Sequence, residues 1–111
     1  TVLEIEHIYA RSRQDKEQSL RDVHNLEALG NKALLEKRIN IRAADYRFED
    51  KKKYYTGFTN SRNQEKEGTK IKELINLANN SSDFTEADIE KRTKDIMDKF
   101  IEFLSDNGLT L

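Results

Sequence analysis

Residues 2–9 read VLEIEHIY and residues 33–41 read ALLEKRINI, and these two stretches decide the fold. In the first, β-branched and aromatic residues partly alternate with carboxylates, the pattern of a short strand. The second is apolar enough for a partner strand, although its LLEKR portion also suits a helix. Between them, Ser12 followed by Asp15 resembles a capping box, and a polar helix is expected from Arg13 to about His24. Beyond them, Asp45 can cap a helix running through Tyr55, with Phe48 and Tyr55 on one face. Gly57 breaks that pattern.

Residues 59–69, TNSRNQEKEGT, are polar and read as a surface loop. Ile71, Leu74, Ile75 and Ala78 mark a short amphipathic helix, and Asn79-Asn80-Ser81-Ser82 a turn. Thr85 with Asp88 caps the last helix. Its apolar stripe, Ile89, Ile96, Met97, Phe100, Ile101 and Leu104, is expected in the core, with Gly108 just past its end. Proline is absent, so it interrupts none of these helices. The order is strand, connection, strand, helix, then two more helices. This predicts an α+β chain, mainly α: a ββα unit over residues 1–58 and a helical extension over 59–111, in a single domain. A hairpin plus one helix has almost no core of its own, so the last helices must pack around it.

The bulk numbers agree with one lean domain. Of 111 residues, 35% are hydrophobic and 37% charged. The net charge of −1 gives no global basic signal for nucleic acid. Its distribution does: residues 31–58 hold eight Lys/Arg against four Asp/Glu, and residues 61–111 hold eight against eleven. One face can therefore meet phosphates while the total stays near zero. The absence of cysteine excludes disulfides and four-cysteine zinc knuckles, and fits a reducing compartment. No apolar run approaches the roughly 18 residues of a membrane span, and no signal peptide is visible. The opening Thr1-Val2-Leu3, without Met, suggests a piece of a longer protein.

Only two histidines occur, and His7 follows Glu6 at the end of the first expected strand. A carboxylate is a hard oxygen ligand for Mg²⁺ or Mn²⁺. A neutral imidazole can take a proton from water near neutral pH. Metal plus base is the minimum for phosphodiester hydrolysis. Neighbouring side chains in a regular strand point to opposite faces, so Glu6 and His7 converge only if the strand ends or bends there.

Around this pair the sequence resembles a known family. EHIY at 6–9, LGN-x-x-LL at 29–35, Asn40, and F-x-x-KK-x-Y at 48–54 look like the DUF1524 domain of the HNH (His-Me finger) nucleases. FTEADIEKR at 84–92 resembles that family's final helix, so the resemblance spans nearly the whole chain. Ala10 stands where the family often has Pro, and Lys32 where it often has Leu. The resemblance implies a ββα-metal finger with packed C-terminal helices. It implies His7 as general base, Glu6 and Asn40 as ligands of one divalent ion, and Asn31 as the residue orienting His7. Lys51, Lys52 and Arg92 would contact phosphate. Such domains typically form the C-terminal part of two-part bacterial restriction proteins, GmrSD-like or SspE-like, whose N-terminal part is a DUF262-type nucleotide-hydrolysing domain. The implied activity is a DNA endonuclease or nickase acting in the cytoplasm on phage or modified DNA.

Each residue also has a plainer reading. Asn31 after Gly30 suits a turn, Asn40 a helix cap, Lys51–Lys53 a solvated helix face, and Phe48, Tyr54 and Tyr55 packing. His24 is followed by Asn25, a rival for the middle asparagine, but the Asn31–Asn40 gap fits the family and the Asn25–Asn40 gap does not. His24 itself reads as surface or a supporting residue. The rival function is a DNA-binding or protein-docking module that kept the scaffold without turnover, and a helical interaction domain is a third possibility.

Overall fold

A computed structural model describes residues 2–42 and 47–110. Asp45, the expected helix cap, lies outside the described residues. The two opening stretches pair as expected. Strand β1, Leu3–His7, runs antiparallel to β2, Lys32–Glu36, with Leu3 opposite Glu36 and His7 opposite Lys32. Side chains alternate between faces. Glu4, Glu6, Ala33 and Leu35 share the inner face, while Leu3, Ile5 and Leu34 on the outer face are exposed.

The second stretch is only half strand. At Lys37 it becomes helix α2, Lys37–Arg42. Helical spacing then sets Ile39 one turn beyond Leu35, and both are fully buried. Lys37 and Arg38 stay exposed. The expected helix between the strands is also shorter. Helix α1 covers Arg11–Glu17, starts at Ala10 without a side-chain cap from Ser12, and stops at Gln18, whose φ is +48°. That left-handed residue turns the chain so that Leu20 enters the core, and a 3-10 turn follows at Val23–Glu27.

Helix α3, Phe48–Thr56, turns Phe48 and Tyr55 inward as their spacing predicts, with ring centroids 6.4 Å apart. Gly57, at φ +92°, ends it. The polar segment after it contains a two-residue hairpin, β3 (Phe58–Thr59) with β4 (Glu65–Lys66). Helix α4, Lys72–Asn80, buries Leu74 and Ala78. Helix α5, Glu86–Asp106, begins with the expected capping box, Thr85 N–H donating to the Asp88 carboxylate at 2.8 Å. The core joins all of these: Ile8, Tyr9, Leu20, Leu35, Ile39, Phe48, Tyr55, Leu74, Phe84 and Ile89. The chain is thus α+β and mainly helical, with two small antiparallel sheets. No helix among the described residues is long and apolar enough to cross a membrane.

The stripe along α5 departs from expectation. Only Ile89 is buried; Met97, Phe100, Ile101 and Phe103 are exposed, Phe100 at 49% and Phe103 at 58%. The reason is where α5 rests. Its first turns sit on the Leu29–Asn31 turn through Ile89, Arg92 and Thr93, so closely that a Cβ on Gly30 would overlap the Ile89 carbonyl. The helix then runs on past that support.

Arg92 is part of the same junction. Its guanidinium donates to both oxygens of Glu73 at 2.9 Å and to the carbonyls of Leu29, Gly30 and Lys32 at 3.3, 3.0 and 2.7 Å. Arg92, expected on phosphate, here forms a clamp joining α4, α5 and the start of β2. Arg92→Ala is expected to cost about 2–3 kcal/mol, one charged hydrogen-bond cluster discounted for the exposure of Glu73. A lower urea midpoint at unchanged slope would register it.

Candidate functional site

Strand β1 ends at His7, and the chain bends through Ile8 and Tyr9 into α1. This end of the sheet, with α2 and α3 beside it, forms an open cleft of about 400 Å³. Its lining includes Glu6, His7, Asn40 and Lys51, together with Arg11 and Ser12. Four of the seven expected site residues therefore share one cleft. Arg92 is not among its lining residues, nor is Lys52, which is half-buried on α3.

Glu6 points inward, as alternation requires. Its Oε2 accepts from the Tyr55 hydroxyl at 2.6 Å and from the Lys51 ammonium at 3.4 Å. Tyr55 stays protonated, because burial first and the Glu6 charge second push its pKa well above the ordinary tyrosine value. It is thus a permanent donor that fixes the carboxylate. Lys51 is 2% exposed and also donates to the His7 carbonyl at 2.6 Å. The ammonium expected on phosphate lines the cleft, paired with Glu6 and pinning the backbone of His7.

Asn40, on α2, donates to Glu4 at 3.2 Å. Glu6 Oε1 and Asn40 Oδ1 accept no hydrogen bond among the described residues. Two oxygen donors lining one cleft suit a hard divalent ion that keeps several of its waters. Among the described residues no three His, Cys, Asp or Glu side chains gather as a metal cluster, so no cysteine–histidine zinc site or all-carboxylate cage is built.

His7 faces away from Glu6, as the last residue of a regular strand must. Its Nε2 contacts the two carboxylate oxygens of Glu27 at 3.2 and 3.0 Å. Glu27 also pairs with Arg11 at 2.8 Å and Lys32 at 3.2 Å. The hydrogen bond from His7, aided by Lys32 and Arg11, draws the Glu27 pKa down to about 2, so it is a carboxylate at neutral pH. A carboxylate only accepts, so Nε2 carries the proton. Nδ1 has no partner among the described residues and is the ring's free lone pair in the neutral form.

Asn31 is fully buried on the 3-10 turn Leu29–Asn31. Its Oδ1 accepts from the Tyr9 N–H at 2.6 Å, and its Nδ2 donates to the carbonyls of Tyr9 and Leu26, both at 2.9 Å. Its own carbonyl accepts from the Ile8 N–H at 3.0 Å. Among the described residues Asn31 makes no hydrogen bond to the His7 ring; it ties the chain just after His7 to the chain just before Glu27. Asn25, the rival, donates to Glu86, and His24 is an exposed side chain paired with Asp22. Sequence reasoning missed Tyr55 and Glu27 as parts of the site. The shared face of Phe48 and Tyr55 was a signal for the first, and no spacing pointed to the second.

No curated protein and no solved structure gives a match to the chain. A family model does, over residues 1–99: the C-terminal domain of GmrSD restriction endonucleases. That span covers strands β1 to β4, the cleft and most of α5, and on that match the chain belongs to the family of GmrSD restriction endonuclease C-terminal domains.

Proposed function

We propose that this cleft is the centre of a metal-dependent DNA endonuclease or nickase of the HNH type, built on a ββα-metal finger. The observation that carries the reading is that Glu6, His7 and Asn40, distant in sequence or on opposite strand faces, line one cleft. The antiparallel pair β1–β2 running straight into α2 is the strand–strand–helix order such a finger needs.

In this reading Glu6 Oε1 and Asn40 Oδ1 would hold Mg²⁺ or Mn²⁺. A bound ion supplies charge neutralisation at the scissile phosphate and the leaving oxygen. Nδ1 of His7 takes a proton from a water molecule. The water oxygen forms a bond to phosphorus, and the bond from phosphorus to the leaving sugar oxygen breaks. Tyr55 and Lys51 keep Glu6 in one position. In this reading Lys52 and Arg11 would meet the DNA backbone. The setting we infer is restriction of phage or modified DNA in the bacterial cytoplasm, under an N-terminal nucleotide-hydrolysing domain of the DUF262 type.

Lys51 favours a second reading, a DNA-binding or docking module without turnover, because its ammonium already compensates the Glu6 charge. Supercoiled plasmid separates the two. Conversion to open circles with Mn²⁺ or Mg²⁺, abolished by EDTA and by His7→Ala, supports the nuclease. DNA retained by wild type and His7→Ala alike, with no cutting by either, supports the module.

A further inference from the structure

We infer that Glu27 is the positioning residue for His7, an inference that rests on the nuclease reading of the cleft. Three observations carry it. Both Glu27 oxygens lie within hydrogen-bond distance of His7 Nε2, at 3.2 and 3.0 Å. Glu27 is itself held, by Arg11 at 2.8 Å and Lys32 at 3.2 Å, so the carboxylate cannot swing freely. Lys32 is also the strand partner of His7, so one rung of the β1–β2 ladder carries the base and an anchor of its orienter. The buried Asn31 amide then joins the backbones at Tyr9 and Leu26, which fixes how far His7 and Glu27 stand apart.

The chemical consequence concerns which nitrogen reacts. With Nε2–H donated to Glu27, the neutral imidazole has its lone pair on Nδ1. A carboxylate in this place fixes the tautomer and ring rotation and stabilises the imidazolium formed when the water proton arrives. Lys32 then has a role of its own. Its charged head steadies Glu27, where a leucine would leave that carboxylate with Arg11 as its remaining cationic anchor.

Single-turnover plasmid nicking with Mn²⁺ tests this against a merely structural role. Glu27→Ala is expected to lower kcat about 10–100-fold with KM for DNA nearly unchanged. In a His7→Ala background the same substitution should change the remaining rate by less than about twofold, since an orienter acts only through the group it orients. If Glu27→Ala cuts like wild type while His7→Ala does not, the inference fails and the nuclease reading stands. If His7→Ala also cuts like wild type, His7 is not the base and the inference falls with it; if neither protein cuts, the nuclease reading falls. A second readout needs no turnover. Ring ¹⁵N shifts of the two histidines at pH 8 should show His7 protonated on Nε2 in wild type, and a mixture of tautomers in Glu27→Ala. A wild-type His7 carrying its proton on Nδ1, or no change in the variant, would overturn the assignment.

Discussion

His7→Ala is expected to leave the protein folded and to lower Mn²⁺-dependent nicking by about 10²–10⁴-fold, the usual contribution of a positioned general base. The fold should survive because the imidazole lies outside the hydrophobic core and Glu27, its polar partner among the described residues, keeps Arg11 and Lys32. The rate should fall because, of the two histidines, only His7 lines the cleft, while His24 lies exposed on Asp22. DNA affinity is expected to stay within about twofold, since the loss concerns an interaction made only in the transition state. Equal nicking by wild type and variant in single-turnover assays would remove His7 from the chemistry.

Asn31→Leu should have the largest effect on stability. Leucine is close in volume but can satisfy none of the three backbone groups the amide serves: Tyr9 N–H, Tyr9 C=O and Leu26 C=O. Each buried group left unpaired costs about 1–3 kcal/mol; with three of them, and water or relaxation offsetting part of the sum, a total of about 3–5 kcal/mol is expected. That is a large share of the roughly 5–15 kcal/mol that holds a small domain together. Nicking should fall further than the folded fraction does, because the same amide sets the separation of His7 and Glu27. Urea unfolding followed by circular dichroism gives the first quantity. A change under about 1 kcal/mol would mean that water replaces the amide without loss.

Much of this was legible in the residues. The alternation in VLEIEHIY forecasts β1, and the Phe48–Tyr55 spacing forecasts the inward face of α3. Thr85 and Asp88 forecast the start of α5. What escaped prediction depends on tertiary contacts. The α2 turn after Glu36 exists because Ile39 gains full burial one turn past Leu35, which a strand reading of 33–41 could not weigh. The exposed half of α5 has the periodicity of a core helix, but periodicity does not say how far the support beneath it extends. The candidate site divides in the same way. Glu6, His7, Asn31 and Asn40 stand out through spacing and resemblance. Glu27 lies 20 residues from His7 with no motif between them, and only folding brings their side chains together. Of the two alternatives at 6–7, a strand end or a bend, the structure shows the end: Glu6 and His7 keep opposite faces, and both line the cleft because β1 stops there.

Mn²⁺ binding followed by electron paramagnetic resonance reads the ion at the cleft without requiring turnover. Wild type and His7→Ala are predicted to bind one Mn²⁺ with similar affinity, and Glu6→Gln and Asn40→Ala to bind it at least about tenfold more weakly. Undiminished binding in Glu6→Gln, or no Mn²⁺ bound by wild type, would contradict a metal centre at this cleft.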